Sequence, residues 1–158
     1  MNGHRLVARL HDHQTAILAS TERARRTLAE EAPDPVVLAR LRWEMVRLMT
    51  AYQFFKHREV FDVLIANGSD DEARIARRLK ADCISLGEDV RRYVAYRNSA
   101  DQTGTWAQQR EQGLSFVGRI RQHLDHERRA MIALLGRNEG ERASIIAPPV
   151  VRHAQRAG

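Results

Sequence analysis

Phe116-Val-Gly-Arg-Ile120-Arg-Gln-His123-Leu124-Asp-His-Glu127-Arg-Arg-Ala-Met131-Ile-Ala-Leu134-Leu135 is the stretch that decides the fold. Its apolar residues return at intervals of three and four, the period of one face of an α-helix, and nothing in it alternates as a strand would. His123 and Glu127 stand within that stripe. Four residues apart on a helix, they lie on one side, a turn apart, and can converge on a single point. A carboxylate buried there costs several kcal/mol unless a cation or hydrogen-bond donors compensate it, so this position calls for a partner. His126 projects well outside the stripe, toward solvent.

Breaks at Pro33-Asp-Pro35, Asn67-Gly-Ser-Asp70 and Asn98 to Thr105 divide the chain into four helical segments. The first, about Arg5 to Glu30, carries Leu6, Leu10, His13, Ile17, Ala24 and Leu28. The second, about Pro35 to Ala66, carries Leu41, Met45, Leu48, Tyr52 and Phe55, with Met49, Val60 and Leu64 on a second apolar flank. Ser69-Asp-Asp-Glu72 has the spacing of a capping box and opens the third, which runs through Ile75, Leu79, Cys83, Leu86, Val90 and Tyr93 to about Arg97. The fourth begins near Thr105 and is expected to stop at Gly136. Four helices of roughly 25 to 32 residues joined by short links predict an all-α, antiparallel up-down-up-down four-helix bundle over residues 1–136. Residues 137–158, with Ala147-Pro-Pro149 and a basic end, are expected to form a poorly ordered tail.

Composition narrows the function. A chain of 158 residues can bury a core without disulfide or metal staples. Cys83 is the single cysteine, and no long apolar run suggests a membrane span or signal peptide, so a cytoplasmic protein is expected. The net charge of +6 is carried by arginines spread over every segment, Lys56 and Lys80 being the only lysines. Without a recognition helix or interleaved aromatic motif, this distribution describes a solvated surface, and nucleic-acid binding is not expected. Hydrolase, nucleotide-binding and thioredoxin-like motifs are absent, and an enzyme is not indicated.

The second and fourth segments align without a gap. Gln53-Phe-Phe-Lys-His57 lies over His123-Leu-Asp-His-Glu127, and Phe61, Leu64 and Ile65 lie over Met131, Leu134 and Leu135. The first and third match likewise, with Asp12-His13 over Asp82-Cys83. In this pattern the chain resembles the hemerythrin-like, or HHE cation-binding, domains, over about residues 5 to 136. That resemblance implies a four-helix bundle with an Asp/Glu-His on its first and third helices and a His-x-x-x-Glu on its second and fourth. It further implies a non-haem di-iron centre in the core, with oxygen or a related small molecule bound at iron.

Carried over by position, the implied ligands are His13, His123 and Glu127. The second helix instead presents Gln53 and His57, and the third presents Cys83. With Glu127 as the one clear carboxylate, the set suits a single iron or zinc better than a di-iron pair. The metal expectation is therefore His13, His57, His123 and Glu127, with Cys83 as an additional ligand. A metal ion and a small gaseous ligand such as oxygen or nitric oxide would be its partners. The competing expectation is a metal-free bundle in which Gln53 and His57 hydrogen-bond Glu127, and which works as a regulatory or protein-interaction module.

Overall fold

The computed structural model describes residues 2–99 and 103–146, with residues 138–146 as backbone only. The described chain is all-helical. It comprises α1 (Gly3–Ala29), α2 (Pro35–Lys56), a π-helical turn (His57–Phe61), α3 (Asp62–Asn67), α4 (Asp70–Arg97) and α5 (Trp106–Ile146). None of the described helices is long and apolar enough to cross a membrane.

Each long helix starts where a side chain can satisfy its free amides. Asn2 accepts from the Arg5 N–H at 3.1 Å, and Asp34 accepts from the Val36 N–H at 2.9 Å with Pro35 in the first turn. The capping box at α4 forms in both directions, Glu72 N–H to Ser69 Oγ at 3.2 Å and Ser69 N–H to Glu72 Oε1 at 3.3 Å. Thr105 and Gln108 make the same reciprocal pair at α5, at 3.3 and 2.9 Å. Ahead of it, Gly104 turns the chain with φ of 106°, a conformation that side chains disfavour.

The expected segments correspond closely to the helices, with two differences. Between Lys56 and Asp62 the second segment widens into a single π-helical turn, which sequence periodicity does not signal. At the other end, α5 continues past Gly136 to Ile146, so the helix extends beyond the expected stop. A glycine ends a helix when it adopts a left-handed conformation, and Gly136 has no positive φ; a Cβ there would meet nothing within 4 Å. Gly136 therefore only weakens the helix locally, and the basic end of the expected tail, residues 147–158, lies outside the described residues.

The core draws on every helix. Leu10 and Ile17 of α1, Tyr52 and Phe55 of α2, Val60 and Phe61 of the π turn, Leu86 and Val90 of α4, and Ile120, Leu124, Met131 and Leu134 of α5 are all buried. Each such side chain contributes about 1.5–3 kcal/mol of burial free energy. α1 packs on α2 and α5, while α2 and α3 pack on α4. Glu127 sits in the middle of the α5 face so buried, 1% exposed.

Candidate functional site

Glu127 is met by a lysine. Lys56, the last residue of α2 and likewise 1% exposed, places Nζ 2.7 Å from Glu127 Oε1 and 2.8 Å from Oε2. Tyr52 lies one turn earlier on the same face of α2, and its hydroxyl donates to Glu127 Oε1 at 2.6 Å. That hydroxyl accepts in turn from Gln14 Nε2 of α1 at 2.9 Å, and the same amide donates to the Leu124 carbonyl at 3.0 Å. The Lys56 ammonium also lies 3.8 Å from the Tyr52 ring centroid, within cation–π range. One buried network thus joins α1, α2 and α5 through a single carboxylate.

The electrostatics follow from this packing. Burial alone would raise the Glu127 pKa, but the adjacent Lys56 charge and His123 overcome it and hold the carboxyl down at about 2. Burial, followed by the Glu127 charge, drives the Tyr52 hydroxyl far above its ordinary pKa, so it remains a donor. A bidentate ammonium–carboxylate contact with a third donor is the arrangement in which a buried pair offsets most of its desolvation cost.

The expected ligands are distributed around this network. His123 Nε2 stands 3.4 Å from Glu127 Oε2, close enough for an ion pair but without hydrogen-bond alignment. His13, half-buried on α1, stacks on Phe55 with ring centroids 5.1 Å apart and lines a surface crevice with Arg9, Asp12 and Ala16. Burial, then Arg9, lowers its pKa. His57 opens the π turn beside Phe61, its Nε2 buried without a hydrogen-bond partner, and burial followed by Lys80 and Lys56 lowers its pKa. Cys83 is buried on α4 with its thiol pKa raised by burial.

Neither Gln53 nor His57 bonds Glu127, which corrects the network expected for a metal-free core. Gln53 Nε2 donates to the Cys83 carbonyl at 2.8 Å, and Gln53 Oε1 accepts from Arg91 at 3.0 Å. The Gln53 amide is accommodated against α4 because Gly87 has no side chain to oppose it. Among the described residues no three His, Cys, Asp or Glu side chains gather as a metal would require.

A divalent cation at Glu127 fits this donor set poorly. Both carboxylate oxygens already face the Lys56 ammonium, and a metal there would stand against a positive charge of comparable reach. Lys56, Tyr52 and Gln14 are the network members that sequence reasoning misses. Lys56 follows Phe54-Phe55 and stands four residues after Tyr52, and Gln14 is spaced four after Leu10 and three before Ile17. Those spacings put both on the core stripes, and a polar residue on a core stripe is the signal that could have found them.

Comparison of the chain with protein-family models, with curated proteins and with solved structures finds no match in any of the three.

Proposed function

We propose that this chain is an antiparallel up-down-up-down bundle of hemerythrin-like design whose core works without metal, the Lys56 ammonium standing where the metal charge would be, and that it acts as a regulatory or protein-interaction module. Short links at residues 30–34 and 68–69, and the packing of α1 on α2 and α5 and of α2 on α4, support the arrangement. One observation carries the functional proposal: the bidentate contact of Lys56 with Glu127, both side chains 1% exposed. A built-in cation makes the core a fixed structural element, and function moves to the surface. The outer face of α2 suits that role, since Val36 and Trp43, each 56% exposed, alternate with Arg40 and Arg47 around a shallow groove.

Titration of the purified protein with iron(II) and with zinc tests this proposal. Absence of stoichiometric binding, with appearance of binding in Lys56→Ala, is the expected result. Stoichiometric binding by the wild type that is lost in His123→Ala would overturn it. That outcome belongs to the second function, a hemerythrin-like site in which His13, His57, His123 and Glu127, with Cys83, hold iron or zinc and through it oxygen or nitric oxide. Its support is that Nε2 of His57 and of His123 is buried without a hydrogen-bond partner, as an imidazole awaiting a ligand bond would be.

A further inference from the structure

Arg97 is the most deeply buried arginine among the described residues, 2% exposed, and it has no carboxylate there. The contrast with the surface is plain: Arg9 pairs with Glu59, Arg23 with Glu44, Arg25 and Arg26 with Glu22, Arg119 with Asp89, and Arg129 with Asp125. Many exposed arginines, for which pairing is worth little, are paired, whereas the guanidinium that most needs an anion meets the Gln112 amide oxygen and, at 5.3 and 5.9 Å, the faces of the Tyr96 and Tyr93 rings. Its Nε and Nη1 are buried with no hydrogen-bond partner. Its position in the last turn of α4 gives it the partial negative charge of the helix end, roughly half an elementary charge, which offsets a full buried positive charge only in part.

Three further features converge on the same end of the molecule. Asn98, the next residue, has its Nδ2 buried without a partner, while its Oδ1 accepts from Arg42 Nε at 2.9 Å. Arg42 is half-buried on α2, makes no ion pair among the described residues, and is close enough to Arg97 for the two charges to oppose each other. Arg42 is also the polar member of the lining of an otherwise apolar cavity of about 60 Å³, formed with Leu38, Met45, Tyr93, Val94 and Phe116 among others. Tyr93 lines that cavity and has the Arg97 guanidinium 5.9 Å from its ring centroid. Arg97 and Asn98 do not themselves line the hollow, but Arg42 and Tyr93 link their unmatched donors to it, and donors of one sign joined in this way to a small apolar space are complementary to an amphipathic anion.

We propose that Arg97, Arg42 and Asn98 form a binding site for a small organic carboxylate whose short apolar group occupies the adjoining cavity. A planar carboxylate matches guanidinium donors, and the cavity has room for a short hydrocarbon group and not for a long acyl chain. Glu111, the acidic side chain that lines the cleft beside Gln112, is exposed and makes no ion pair with Arg97. The site stands whether or not the Glu127 core holds metal.

Calorimetric titration with butanoate, paired with thermal melts, tests this directly. Saturable binding to the wild type, accompanied by a rise in Tm, is expected, with acetate weaker and butylamine inert. Arg97→Met is expected to weaken butanoate at least about tenfold while melting no lower than the wild type, because it replaces an unmatched buried charge by an apolar chain of similar reach. Arg42→Met provides a second variant at a more exposed position and should weaken binding in the same sense. No saturable butanoate binding, or equal binding of acetate, would overturn the site or its apolar half. So would a loss of Tm in Asp101→Asn together with butanoate binding that the wild type lacks. Asp101 lies outside the described residues, and that result would make it the internal counter-ion of Arg97.

Discussion

Replacing Lys56 by methionine removes the ammonium and leaves the Glu127 carboxylate, 1% exposed, with the Tyr52 hydroxyl as its hydrogen-bond donor and His123 Nε2 at 3.4 Å. Breaking a buried pair from one side costs on the order of 3–5 kcal/mol, since the remaining charge keeps its desolvation penalty and loses its compensation. Glu127→Met is expected to cost a similar amount by stranding Lys56. In Lys56→Met/Glu127→Met both charges go, and the one group left without a partner is the Tyr52 hydroxyl proton, worth about 1–3 kcal/mol. Gln14 loses nothing in this variant, because its amide keeps both Tyr52 Oη and the Leu124 carbonyl as acceptors. The double variant should therefore be more stable than either single one, with a coupling energy of at least about 3 kcal/mol across the cycle. Urea denaturation followed by far-ultraviolet circular dichroism at pH 7 measures all four proteins. Should the single variants be too unstable to fold, recovery of folding in the double variant carries the same information. Single costs below about 1 kcal/mol, or costs that simply add, would refute the assignment of Lys56 as the cation of this core.

The same contacts lead to further outcomes. Glu127 has its pKa lowered from 4.5 to about 2, so its stabilising contribution is complete above 4.5 and is lost as the pH falls through about 2. An acid titration of stability should show a drop on the order of 3 kcal/mol over that window, and Glu127→Gln should flatten it. Glu22 titrates in the same range through its hydrogen bond to Arg25, but its side chain lies at the surface, 32% exposed, where solvent screens the pair, and Glu22→Gln should leave the slope nearly unchanged. NMR titration of the histidine rings should give midpoints below 6.5 for His13 and His57, both lowered first by burial. Tyr52→Phe, which deprives both Glu127 and Gln14 of a partner, should cost about 1–3 kcal/mol by the same denaturation assay. Ser69→Ala should cost about 1 kcal/mol by opening the α4 capping box.

The helices were legible in the sequence because their signals are local. Pro35 after Asp34, the Ser69–Glu72 box and the apolar spacing of Ile120, Leu124, Met131 and Leu134 each specify structure through neighbours in the chain. Gly136 misled because a glycine signals a helix end only when tertiary context lets it turn left-handed. The π turn at His57 was not legible, since one extra residue in a turn changes no composition and only rotates the later residues of the helix to new facings. At the site, the buried position of Glu127 could be read from its place in the stripe, and the need for a compensating cation came from electrostatics. The identity of that cation could not be read. Lys56 reaches Glu127 from another helix across a separation of 71 residues, and in a two-stripe helix such as α2 the direction of a polar side chain is set by packing. Family pattern drew attention to Gln53 and His57, whereas α4 and the π turn hold those two side chains away from Glu127.

Elemental analysis of the folded protein, purified without chelators and with iron and zinc counted per chain, decides whether Lys56 or a metal ion neutralises Glu127. A core whose carboxylate is held by Lys56 should carry well below one of either metal per chain. One or more bound per chain, released together with loss of thermal stability on chelation, would contradict it.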